Sequence, residues 1–122
     1  MKRILYILEE YNKGNYVVLG GDWNQTFDII DANQFPLFEN GSFYTPYSIP
    51  NDWVEEGWNW GVNDNAPTYR LLNEAYKEGK TQTGVIDGFL VSPNVAISQT
   101  KVIDLEFTNS DHNPVVMKFM LE

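Results

Sequence analysis

Apolar residues recur along this chain in two rhythms, and the points where each starts and stops outline its elements. Ile4, Leu5, Leu8 and Tyr11 fall at i, i+1, i+4 and i+7, one stripe of an amphipathic helix, and Gly14 supplies its stop. No Ser, Thr, Asp or Asn cap precedes Ile4, and Lys2 and Arg3 sit where the helix macrodipole disfavours positive charge, so the chain reads as entered part-way through a helix. The run Tyr16-Val17-Val18-Leu19 then reads as a buried strand that delivers Gly20-Gly21-Asp22-Trp23-Asn24. Alternation along that strand would place Asp22 and Asn24 on one face, although the same five residues are also ordinary turn chemistry.

Residues 25–66 carry little periodicity but hold Phe35, Phe38, Phe43, Tyr44, Tyr47, Trp53, Trp58 and Trp60, with Pro36, Pro46 and Pro50 breaking the stretch into short extended pieces. A connection this long is uncommon in a compact domain unless it is functional or packs around its own small core. The rings fit either a substrate-facing wall or a loop held down by its own aromatics, and the second is the expectation. Ala66-Pro67-Thr68-Tyr69-Arg70 predicts a short strand with Thr68 and Arg70 on one face as candidate phosphate-binding groups, and Leu72, Ala75 and Tyr76 suggest a turn or two of helix ending near Gly79.

From Gly84 to Pro93 an apolar run encloses a single carboxylate, Asp87. Asp is depleted in strands and costly to bury alone, so Asp87 needs a partner. The last strands are expected over 101–107, where Lys101, Ile103, Leu105 and Phe107 alternate with Val102, Asp104 and Glu106, and over 115–121. Between them lies Ser110-Asp111-His112-Asn113-Pro114, which contains the sole histidine. On a regular strand Asp111 and His112 would face opposite ways, so using both at one site requires a bend, as Asn113-Pro114 allows.

Composition narrows the chemistry. The 122 residues suit one domain or part of one, and no apolar run approaches the ~20 residues that cross a bilayer. Eight Lys+Arg against 17 Asp+Glu give a net charge of −9, a poor match for a surface that tracks many phosphates of a nucleic acid. A small or metal-bound phosphoester is easier to accommodate. The absence of cysteine excludes disulfides and thiolate metal sites. The basic and apolar start turns acidic at Glu9-Glu10 with no small-residue cleavage site, so it does not read as a signal peptide.

Three segments, in order, deliver polar groups beside apolar strands: Gly21-Asp22-Trp23-Asn24, Ile86-Asp87-Gly88-Phe89-Leu90-Val91-Ser92 and Ser110-Asp111-His112-Asn113-Pro114-Val115. Together they resemble the endonuclease/exonuclease/phosphatase superfamily of Mg²⁺-dependent phosphoesterases. The resemblance spans the chain but only the C-terminal half of that family's domain. It implies an α/β fold, here the C-terminal half of a two-sheet, four-layer α/β sandwich flanked by helices, with residues 1–122 a partial domain. It further implies that His112 pairs with Asp87, that Asp22 is the base for an attacking water, that the Asn24 amide donates to the phosphoryl oxygen and that Asp111 helps to hold Mg²⁺, with Mn²⁺ as the substitute.

The family's early metal-binding Glu has no counterpart, since Glu9 and Glu10 belong to the expected helix. The resemblance therefore implies a phosphoesterase in the complete domain (nuclease, phosphodiesterase or phosphatase) and an inactive chain in isolation. The alternative is a catalytically silent binding or assembly module. The expected partners are a phosphoester substrate, the missing half of the domain, and a second copy in a homodimer or swapped assembly, because inner faces built from Val17, Leu19, Ile86, Phe89, Val91 and Val115 would lose covering.

Overall fold

The N-terminal stripe forms helix α1 (Lys2–Asn12) in the computed structural model, which describes residues 2–31, 34–36, 46–72 and 74–122. Gly14 closes it in the left-handed region at φ 89°, with its N–H on the Tyr11 carbonyl (2.9 Å) and the Asn15 N–H on the Glu10 carbonyl (3.2 Å). That pair of bonds satisfies carbonyls the helix leaves open. Tyr11 meets the buried Trp58 edge-on, centroids 5.6 Å apart, and so ties the helix to the aromatic stretch.

Among the described residues nine strands follow: β1 (Val18–Asp22), β2 (Thr26–Phe27), β3 (Ser48–Ile49), β4 (Asn59–Gly61), β5 (Tyr69–Arg70), β6 (Thr83–Gly84), β7 (Asp87–Val91), β8 (Val95–Val102) and β9 (Val115–Leu121). β7 lies between β1 and β4, antiparallel to both, in the order β1-β7-β4. β8 and β9 form a long hairpin that touches β4 and β7, while β2/β3 and β5/β6 are short two-stranded pairs. The described residues are thus mostly β, with strands in several small sheets and one short helix.

Position in the sheet explains the burial. Leu90 and Val91 of central β7 are fully covered, whereas Val18 and Leu19 on edge strand β1 are each 39% exposed. The ladder runs Val18↔Val91 through Gly20↔Phe89 to Asp22↔Asp87, so the strand expected to end at Leu19 continues through both glycines to Asp22. Glycine is required at the site's end of β7: a Cβ on Gly88 would lie 2.4 Å from Val62 Cγ1 and 2.9 Å from the Gly61 carbonyl oxygen.

The aromatic stretch packs around its own core, as expected. Phe27, Ile30, Ile49 and Val85 form a buried cluster with Trp23, Phe35, Trp53, Trp60 and Val62 against it, and Trp23 meets Trp60 edge-on at 4.9 Å. Phe38, Phe43 and Tyr44 lie outside the described residues. Each such aromatic pair contributes about 0.5–1.5 kcal/mol beyond its buried area.

Two expectations fail for local reasons. Residues 103–107 do not extend a strand, because the Asp104 carboxylate accepts the Glu106 N–H (2.9 Å) and Glu106 and Phe107 both turn left-handed at φ 53°. The strand there is β8, which ends at Val102. Nor do the described residues among 71–79 form a helix: the Lys77 N–H donates to the Thr81 hydroxyl (2.8 Å) in a turn, and Tyr76 rests against Phe107 at 5.0 Å. Asn73 lies outside the described residues.

Candidate active site

The register of β1 on β7 sets two carboxylates, Asp22 and Asp87, directly opposite one another. Like charges in that relation repel, so the pair calls for a cation or a proton. Trp23 fixes the Asp22 end: its N–H donates to the Ile86 carbonyl (2.9 Å), its indole Nε1–H to the Gly88 carbonyl (3.1 Å), and its ring packs into the aromatic core.

The last motif is docked on the opposite side by backbone bonds. The Arg70 N–H donates to the Asp111 carbonyl (3.0 Å) and the Asn113 N–H to the Thr68 carbonyl (2.9 Å), with Tyr69 and His112 forming an antiparallel bridge. The chain bends at Asp111, and this lets neighbouring Asp111 and His112 serve one site. His112 Nδ1 lies 2.8 Å from Asp87 Oδ2, and Nε2 lies 3.8 Å from Asp22 Oδ2 and 4.0 Å from Asp111 Oδ2. The partner that burial demands for Asp87 is therefore His112. One imidazole touches all three carboxylates.

These contacts set the titration. Burial raises the Asp87 pKa, against hydrogen bonds from His112 and Thr68 that lower it. For His112 burial pulls the pKa down, but the Asp87 hydrogen bond and the charges of Asp87, Asp111 and Asp22 outweigh it and the value rises above 6.5. A histidine raised on folding gives stability that is fully present below its unfolded pKa and lost as pH climbs through the folded one. Asp87, also raised, runs the same way, since ionising it costs the folded state. Denaturant midpoints of the metal-free protein should therefore fall as pH rises from below 6.5 through the His112 transition. Asp87→Asn should move that transition down, which an NMR titration of the single histidine reads directly.

Other expected groups are placed differently. Asn24 has φ 55° and its N–H donates to Asp22 Oδ1 (2.8 Å), so an Asx turn rather than strand alternation sets its direction. Thr68 is 0% exposed, which removes it as a substrate contact. Its hydroxyl accepts the Ile86 N–H (2.9 Å) and Asp87 N–H (3.2 Å) and so positions Asp87 from behind. The Arg70 guanidinium turns back on its own chain, donating from Nη1 to the Leu71 carbonyl (3.1 Å). Asn113, missed in the sequence, is 3% exposed: its amide donates to the Pro67 carbonyl (2.9 Å) and accepts the Leu105 N–H (3.1 Å), locking the His112 loop. An Asn between the histidine and a proline is the signal that could have found it.

Asp22, Asp87 and His112 place one ligand atom each within 4.8 Å of the others, a spacing that can hold a metal ion. Asp111 is not part of that trio, although its carboxylate borders the same ring nitrogen. Since Asp87 Oδ2 and His112 Nδ1 are already bonded to each other, the exposed oxygens left for a hard cation are those of Asp22 and Asp111. No family model, curated protein or solved structure matches the chain.

Proposed function

We propose that this site hydrolyses a phosphoester in a Mg²⁺-dependent reaction. The observation that carries the reading is the line of groups through one imidazole: Asp87 on Nδ1 at 2.8 Å, Asp22 beyond Nε2 at 3.8 Å. Asp87 holds the ring so that Nε2 faces the open side, and the surrounding carboxylates favour the imidazolium, which binds a phosphoryl oxygen. Asp22, partly exposed, takes the proton of an attacking water, and the Asn24 amide is assigned to the developing phosphoryl charge. Asp111 would hold Mg²⁺, or Mn²⁺ in its place, with waters filling most of the coordination. The bound cation would offset charge on the phosphoryl group.

The resemblance of the three motifs to the endonuclease/exonuclease/phosphatase superfamily supports this reading, and with it the half-sandwich fold, in which sheet β1-β7-β4 and hairpin β8–β9 are facing layers. It also calls for an earlier strand that ends in a metal-binding Glu, so activity belongs to the domain that includes such a strand. Hydrolysis of a generic phosphodiester by that domain should require Mg²⁺ and stop on chelation. Equal rates with chelator would refute the proposal.

A second reading, an assembly module without turnover, is favoured by one observation. Leu19, Val116, Phe119, Met120 and Leu121 leave apolar surface on β1 and β9, Met120 being 65% exposed. Apolar strands at sheet edges invite pairing, with the rest of the domain or with a second copy. Sedimentation of the 122-residue chain should show self-association. A stable monomer would remove the support for this reading. No helix among the described residues is long and apolar enough to cross a membrane.

A further inference from the structure

Beside His112, on the side formed by the loop from β8 to β9, lies a hollow of about 280 Å³. Its apolar walls are Leu105, Phe107 and Pro114. Of the polar side chains that also line it, those of Thr108, Ser110 and Asn113 are turned into the loop itself, while Asn109 lines it as well. The Thr108 hydroxyl donates to the Leu105 carbonyl (2.6 Å), the Ser110 hydroxyl accepts the His112 N–H (3.1 Å), and the Asn113 amide is consumed by Pro67 and Leu105. What faces the hollow is therefore mainly carbon. Its shape depends on Glu106 and Phe107, consecutive non-glycine residues both at φ 53°, a backbone conformation kept where the surroundings over-determine it.

We infer that this hollow receives an apolar substituent, aryl or alkyl, of the phosphoester whose phosphoryl group meets His112. The inference rests on the proposed phosphoesterase reading and names its substrate class. Continuity with the site selects the occupant: His112 is a wall of the hollow and also borders Asp22, Asp87 and Asp111, so a group seated here lies beside the imidazole that would meet the phosphoryl group. The size fits a substituent rather than a whole ligand, since sites for drug-sized molecules run about 300–1,000 Å³. The net charge of −9 argues in the same direction, against a polyanion extending from the site.

Binding separates this inference from the reading beneath it. Methylphosphonate and phenylphosphonate carry the same phosphonate head, and NMR titration of the 122-residue chain in Mg²⁺ buffer, at a pH above the second ionisation of both and following the His112 ring, gives both dissociation constants. Phenylphosphonate should bind about tenfold tighter, the effect of burying a modest apolar group. In Leu105→Asp, a change at a residue 51% exposed and so tolerable to the fold, the ratio of the two constants should fall to about one. Equal binding of the two ligands by the unmodified chain overturns the hollow as a subsite and leaves the phosphoryl site standing. An excess that survives Leu105→Asp overturns it as well. If neither ligand shifts the His112 ring, both the site and the subsite are wrong.

Discussion

On the proposed reading, in which this chain is part of a larger phosphoesterase domain, His112→Ala in that domain is expected to lower turnover of a phosphodiester by at least ~10²-fold while leaving the fold unchanged. The size follows from how much of the site meets at one ring. Removing the imidazole leaves the half-buried Asp87 beside Asp22 with no His112 hydrogen bond on its Oδ2, and on the proposed mechanism it deletes the imidazolium that would bind a phosphoryl oxygen. A buried carboxyl without its partner takes up a proton, so Asp87 would respond by neutralisation rather than by unfolding the sheet. Circular dichroism and thermal melts on the variant separate lost chemistry from lost structure. Near-normal turnover in a folded His112→Ala protein would take histidine out of the mechanism.

The second large effect is structural. Gly88→Ala should destabilise the protein by about 1–3 kcal/mol, and disturb the site at the same time. The added methyl would meet Val62 at 2.4 Å and the Gly61 backbone at 2.9 Å, so β4 must move away from β7 or β7 must tilt. Val62 could yield by a rotamer change, but the carbonyl belongs to a strand paired with β7 and cannot. Gly88 adjoins Asp87, and its carbonyl receives the Trp23 indole, so a tilt of β7 loosens both carboxylates. Chemical denaturation of the variant alongside an NMR titration of His112 would show the two effects together. An unaltered denaturation midpoint would mean that this contact is not tight in solution.

Much of the site was legible because the physics there is local or obligatory. A carboxylate in an apolar run had to find a partner, and the resemblance of the three motifs implied that the partner is His112, which the structure places 2.8 Å from it. β9 was expected over 115–121, and its bounds agree with the structure. The failures occurred where a side chain captured the backbone. Asp22 accepts the Asn24 N–H and ends the extended conformation on which same-face placement depended. Asp104 does the same to Glu106, which turns an alternating sequence into a loop wall. Thr68 looked like a surface ligand, but two buried backbone donors, Ile86 and Asp87, needed an acceptor and took its hydroxyl. Periodicity carries no information about such bonds, and the pairing of β1 with β7 across the long intervening stretch is equally invisible to it.

On the proposed mechanism Asp22 and His112 act on one substrate as one unit, and a double-mutant cycle tests this most directly. Mg²⁺-dependent turnover of a phosphodiester would be measured for the unmodified complete domain, Asp22→Asn, His112→Ala and the double variant. Groups that cooperate in one step lose function together, so the double variant should be hardly slower than the worse single one, with each single loss at or above ~10²-fold. Losses that simply multiply, or single variants that keep full turnover, would show that the two side chains 3.8 Å apart do not share a reaction.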